Sequence, residues 1–352
     1  MVSAKITSIT DGPRQSNFEL LRIVSMLLVL AVHANYFSIG SPSATELKTD
    51  IIPSVTRVFL QAACLVCVNV FVLISGWFGI RRSVKGGMAY LFQCFFYSAI
   101  IYSFFLITGL VSVSHVQAFQ VFYLYYSGGW FVVAYLGLYI LAPILNAYIE
   151  KVSLRQLAIT VLLFYIFQTI FGCMGHYNFF NLGYSTLSFI GLYMLAQLVR
   201  KSHVVLPPPI FSYLGGTLIT TILLCISILW NGFGAIFIAE AYCSPFIVLS
   251  SVALLMCFAR MKIGVSPFIN SVAKSAFAVY LIHMNPCINP YYAKLCTWVY
   301  NSFDGIVYLV IILITILLIF TLCILVDKIR IFVWNCLSPV LMKYTNRILV
   351  KY

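Results

Sequence analysis

Asn17-Phe18-Glu19-Leu20-Leu21-Arg22-Ile23-Val24-Ser25-Met26-Leu27-Leu28-Val29-Leu30-Ala31-Val32-His33 is apolar enough to cross a bilayer, yet carries an arginine near its start and a histidine deep inside. The two lie eleven positions apart. At ~100° per residue in an α-helix this is about 1100°, three turns plus roughly 20°, so both side chains leave one face. The rise between them is roughly 16.5 Å, about half the hydrocarbon thickness. Ionisable groups at such depth are costly unless they face a polar interior, which makes the pair a functional-site hypothesis.

Composition places the rest of the chain around this helix. Of 352 residues, 62% are hydrophobic and only 8% charged, and the mean hydropathy is +1.03. Soluble domains are about a quarter charged, so the expectation is an all-α, polytopic membrane protein. Met1 to Gln15 is polar and no cleavage site follows the first apolar run, which reads as a span rather than a removable signal.

Ten segments are long and apolar enough to cross: Leu20–Phe37, Val58–Phe78, Met88–Leu110, Trp130–Tyr148, Leu157–Cys173, Tyr184–Val199, Phe211–Trp230, Phe233–Ala259, Val272–Pro286 and Gly305–Val326. The ninth is short and ends at Pro286, so an irregular span is expected. Val116 to Tyr126 is aromatic-rich and fits the membrane interface. With the N-terminus inside, both tails and the even-numbered loops hold Lys5, Arg14, Arg22, Arg81, Arg82, Lys85, Lys151, Arg155, Arg200, Lys201, Arg260, Lys262, Lys274, Lys328, Arg330, Lys343, Arg347 and Lys351. The odd-numbered loops hold only Lys48, Arg57 and Lys294. This division of all 21 basic residues, 18 against 3, follows the positive-inside rule and puts both termini in the cytoplasm. It also explains the net charge of +13 without nucleic acid.

The organisation expected is a short cytoplasmic segment (1–16), a ten-helix membrane domain (17–326) and a cytoplasmic tail (327–352). The tail mixes bulky apolar and basic residues and reads as an interfacial helix broken near Pro339. No soluble domain and no internal repeat is evident. Most cysteines fall inside spans as small buried residues, and Cys64-x-x-Cys67 lacks a second ligand pair for zinc. Cys287 and Cys296 fall together on the outer side, where a disulfide could form. No metal site is expected.

Arg81, Arg82 and Lys85 crowd the cytoplasmic loop after the second span. A solvated, orienting loop is the plain reading. Together with Arg22 the same cations suit phosphates, which guanidinium forks match in shape. Glu19 stands three residues before Arg22 and can steady it. His33, with an ordinary pKa of ~6.5, suits general-base work near neutrality. Further polar residues inside spans are Asn69, Ser75, Glu240, Ser275, Tyr280 and His283. Glu240 could orient His33, contact substrate or make a structural pair; His283 is expected near the outer surface.

The Arg22-to-His33 spacing resembles the signature of the membrane acyltransferases called acyltransferase family 3. Asn69-Val-Phe-Val-Leu-Ile-Ser75-Gly76-Trp77, Gly129-Trp130-Phe-Val-Val-Ala-Tyr135-Leu-Gly-Leu-Tyr139-Ile-Leu-Ala-Pro143 and Ser275 to His283 are similar to that family as well. The resemblance implies a bacterial inner-membrane O-acyltransferase moving acetyl from acetyl-CoA to a hydroxyl of a cell-surface or lipid-linked saccharide. It implies His33 as the catalytic base. Many members carry two arginines three apart after the second span, where this chain has Arg82 and Lys85. The chain also lacks a GxSxG nucleophile elbow. The rival reading is a transporter or flippase for a lipid-linked saccharide, with buried polar groups lining its path. Either reading makes the membrane lipid and a carbohydrate the partners.

Overall fold

The computed structural model describes residues 14–112, 129–175, 177–202, 208–230 and 239–349, with side chains through residue 343. The chain is all-α: the described residues form helices and turns, with no strand among them. Seven helical stretches have the length and hydropathy to cross a membrane: Ser16–Phe37, Ile51–Phe78, Val84–Ile107, Trp130–Lys151, Leu154–Met174, Pro209–Leu229 and Gly305–Lys343. The sixth, eighth and ninth segments expected from sequence are shorter as helices. They are Thr186–Ser202, Pro245–Ala259, and a ninth split into Pro267–Ala273 and Ala276–His283 at Ser275. Thr186–Ser202, Pro245–Ala259 and Ala276–His283 are largely buried in the bundle, where neighbours satisfy what lipid cannot, whereas Pro267–Ala273 buries only Ala273. The expected interfacial stretch Val116 to Tyr126 lies outside the described residues, as does the start of the eighth segment.

Helix α1 (Ser16–Val32) is the centre of the bundle. It packs against the Cys67–Phe78 helix, both pieces of the ninth segment, Pro245–Ala259 and the last helix. Its N-terminal start is tied down by three hydrogen bonds. The Ser16 hydroxyl accepts from the Ser266 N–H at 2.8 Å and donates to Asn270 at 3.0 Å, and Asn17 donates to the Phe258 carbonyl at 2.9 Å. The Gly76 backbone lies so close to Tyr193 that a methyl group there would sit 2.8 Å from its carbonyl oxygen. Only glycine permits that approach.

Two loops differ from expectation. The segment after the ninth span folds as a helix, Asn289–Ser302, which buries Cys296 completely; Cys287 and Cys296 are both free thiols. The last helix, Gly305–Leu349, runs unbroken through Pro339. A proline removes one helical hydrogen bond, but packing holds the helix in the turns that precede it. Asp327 and Arg330 are buried on it and paired through two 2.8 Å bonds, Tyr97 donates to Asp327 at 2.6 Å, and Trp334 lies 5.0 Å from Phe92. Its opposite face is exposed and apolar, Ile306, Leu313 and Ile329 among others, as a lipid-facing surface requires.

Candidate functional site

At Val32 the first helix leaves the α conformation and widens into a π-helical turn, His33–Phe37. Such bulges recur at functional sites because they re-aim side chains. A buried clamp holds this one. Asn35 donates to the Arg57 carbonyl at 2.9 Å, and Arg57 donates to Asn35 at 3.3 Å, to the Tyr300 hydroxyl at 3.1 Å and to the Gly40 carbonyl. The guanidinium lies 4.7 Å over the Tyr300 ring. Arg57, assigned from sequence to an outer loop, is in fact 6% exposed on helix Ile51–Cys64. That helix starts seven residues before the expected second span.

His33 opens into a cavity of about 720 Å³. Its walls include Trp130, Tyr184, Tyr242, Tyr280, Gln61 and Glu240. Trp130 lies 4.4 Å from the Tyr184 ring and stacks at 6.1 Å on Tyr242. Asn69 stands behind this wall, donating to the Tyr242 carbonyl at 2.8 Å. His283 is buried, 1% exposed, and capped by Tyr292, whose ring centroid is 5.5 Å away. Its Nε2 is 2.8 Å from Nδ1 of His33, and its Nδ1 is 2.6 Å from the Val279 carbonyl oxygen. The neighbour of His33 is thus His283 rather than Glu240, which lines the cavity elsewhere.

A second pocket, about 340 Å³, opens at the other end of the first helix. Arg22, Ser75, Arg81, Gly86, Tyr90 and Tyr135 line it with Tyr139. Glu19 holds Arg22 at 2.6 Å, the local pair anticipated by their spacing. The loop carrying Arg81 is fixed at its backbone. Ile80 donates to the Tyr193 hydroxyl at 2.8 Å, Asn146 donates to the Ile80 carbonyl at 2.9 Å, and Tyr139 both accepts from Ser83 N–H and donates to its carbonyl. Gln197 donates to the Gly76 carbonyl, and Arg200 donates to that of Trp77 at 2.6 Å, so the end of the second span is capped from the sixth. Gly79, at φ +78, turns the chain into the loop. Ser83 then caps the next helix, accepting from the Gly86 N–H at 3.0 Å, and Gly86 in its first turn lines the pocket. Of the four expected phosphate ligands, Arg22 and Arg81 share this pocket; Arg82, on the loop, and Lys85, in the first turn of helix Val84–Ile107, are exposed beside it.

Between the two cavities stands a wall of rings. Tyr90 stacks on Phe277 at 5.5 Å, Tyr135 on Phe131 at 5.8 Å, and Phe131 and Phe277 each meet Tyr280. Tyr135, hydrogen-bonded to Ser75 at 3.1 Å, lines the Arg22 side of this wall, and Tyr280 the His33 side. Ser275 lines neither cavity; it is buried at the break in the ninth segment, its hydroxyl unpartnered among the described residues. No cluster of three or more metal-ligating side chains occurs among the described residues.

A family model described as an acyltransferase domain matches residues 15–328, which takes in both cavities and the helix between them. No curated protein and no solved structure matches the chain.

Proposed function

The chain belongs to acyltransferase family 3 and is a multi-pass membrane acyltransferase, and from that premise we propose that it transfers acetyl from acetyl-CoA to a hydroxyl of a cell-surface or lipid-linked saccharide. One observation carries this reading. Two cavities meet the same helix, one holding Arg22 at the cytoplasmic end and the other holding His33, with only stacked rings between them. A group-transfer enzyme needs a charged donor site beside an uncharged reaction chamber.

In this account the CoA phosphates rest on Arg22, Arg81 and the N-terminus of helix Val84–Ile107, where cations and free N–H groups favour anions. Arg82 and Lys85 add long-range attraction from the rim. The thioester arm passes Ser75 and Tyr135 to reach His33. The acceptor sugar stacks on Trp130, Tyr184 and Tyr242, with Gln61 and Glu240 as hydrogen-bonding partners. His33 takes the proton of the acceptor hydroxyl as its oxygen attacks the thioester carbonyl. Collapse of the tetrahedral intermediate breaks the carbon–sulfur bond, and the proton passes from His33 to the departing thiolate.

The positive-inside bias supports cytoplasmic termini and ten crossings, with the short helices Thr186–Ser202, Pro245–Ala259 and the split ninth segment as three of them. On that orientation the reaction chamber faces outward, in a bacterial inner membrane, and residues 17–326 form the catalytic domain. Calorimetry of CoA binding to the detergent-purified protein tests the donor site. Arg22→Ala and Arg81→Ala should each weaken binding, and added salt should weaken the wild type. Unchanged affinity in both variants would overturn the assignment.

A further inference from the structure

The two buried histidines specify where each proton lies. A carbonyl oxygen has no proton to give, so the 2.6 Å contact between His283 Nδ1 and the Val279 carbonyl requires Nδ1 to carry hydrogen. A neutral imidazole has one ring proton. Nε2 of His283 is therefore a bare acceptor, and it lies 2.8 Å from Nδ1 of His33. That contact is a hydrogen bond only if His33 donates from Nδ1. Neutral His33 must then hold its proton on Nδ1, which leaves its Nε2 with a lone pair.

We propose that His283 is a positioning residue that holds His33 in the Nδ1–H tautomer and so presents Nε2 to the reaction chamber as the base. This rests on the reading of His33 as the general base. The order of donors is Nε2 of His33 toward the acceptor hydroxyl, Nδ1–H of His33 to Nε2 of His283, and Nδ1–H of His283 to Val279. His33 gains a proton on Nε2 when the acceptor oxygen bonds to the thioester carbon, and loses it to the thiolate when the carbon–sulfur bond breaks. His283 stays neutral throughout and keeps both of its hydrogen bonds. Its burial beneath Tyr292, whose hydroxyl is anchored on the Leu30 carbonyl at 2.7 Å, fixes the ring in this orientation. Because the contact joins residues 250 positions apart, it also locks the ninth segment onto the π turn of the first helix. A carboxylate partner would orient an imidazole too, but it would bury a charge; a second imidazole does so without one.

Nitrogen-15 NMR of the histidine-labelled protein in detergent reads the tautomer directly, with the His33 signals identified by their loss in His33→Gln. The expected spectrum has His33 protonated at Nδ1 and bare at Nε2. In His283→Leu the preference should be lost, with kcat down ~10²-fold or more and the KM for acetyl-CoA unchanged; a triad base left in the wrong tautomer loses ~10⁴-fold. His283→Gln places a carbonyl oxygen near the former Nε2 and should stay within about tenfold of wild type. A wild-type spectrum with His33 protonated at Nε2 would overturn the proposal, as would His283→Leu at full kcat. If His283→Leu does not fold, the wild-type spectrum and His283→Gln still decide. The reading of His33 as base fails separately, on an active His33→Gln.

Discussion

Gly76→Ala is a one-methyl perturbation whose cost can be worked out from the packing. The added carbon would lie 2.8 Å from the Tyr193 carbonyl oxygen and 2.9 Å from both Tyr193 Cα and Ala196 Cβ. Non-bonded carbons rest at about 3.5–4.0 Å, so the Thr186–Ser202 helix must retreat by roughly 0.6–1 Å. Two of the three obstructing atoms are backbone and cannot swing aside. Overpacking of this kind costs about 1–3 kcal/mol, against a gain of ~0.5–1 kcal/mol for replacing a mid-helix glycine. Retreat also strains the bonds from Gln197 and Arg200 to the Gly76 and Trp77 carbonyls, each worth ~0.5–3 kcal/mol. The net expectation is a loss of about 2 kcal/mol, together with weaker CoA binding, because Ser75 and Gly79 of the donor pocket flank the site. Gly87→Ala is the control: its methyl would meet Tyr139 alone, at 3.5 Å or more, an ordinary contact, and should be neutral or stabilising. The assay is thermal unfolding in detergent, followed by a thiol-reactive dye on the buried cysteines. Gly76→Ala unfolding at or above the wild-type midpoint would refute the packing argument.

Arg57→Met removes the donors that hold Asn35 and the Gly40 carbonyl, and each orphaned acceptor costs about 1–3 kcal/mol. It should lower the unfolding midpoint and cut acetyl transfer while CoA affinity stays, which thermal unfolding, a transfer assay and calorimetry would check. Asp327→Asn leaves Arg330 a buried charge without its partner. A loss of ~3–5 kcal/mol is expected in the same unfolding assay, since the desolvation cost remains and the attraction does not. Topology reporters fused at the C-terminus should read cytoplasmic, and a reporter inserted beside Lys48 should read external; the reverse pattern would move the donor pocket to the wrong compartment.

Much of the site's axis was legible in one line of sequence, because helix geometry alone puts Arg22 and His33 on one stripe and Glu19 beside Arg22. The Ser75 and Trp130 stretches also led to the walls of the two cavities. Arg57 was misplaced because hydropathy treats a basic residue as the edge of a span. Ser54, Arg57 and Gln61 form a polar stripe on one helical face, all three buried, and that spacing was the available signal. The meeting of His33 with His283 was not legible. It depends on the break at Ser275 and on helix Asn289–Ser302 covering His283, and nothing local in the sequence encodes contacts across 250 positions. The π turn at His33 was hidden for a similar reason: Asn35 is held by Arg57 from another helix. Apolar length overstates helices that lie inside the bundle: the eighth segment, expected over Phe233–Ala259, has its main helix only from Pro245 to Ala259 among the described residues.

His33 is the proposed base in acyl transfer to a hydroxyl. The direct measurement is radiolabelled acetyl transfer from acetyl-CoA to surface glycan by membranes holding equal amounts of wild type or His33→Gln. A positioned base contributes ~10²–10⁴-fold, so transfer should fall by about that factor, while CoA binding, set at Arg22 roughly 16.5 Å along the helix, should be unchanged. Transfer by His33→Gln at close to the wild-type rate would contradict the account.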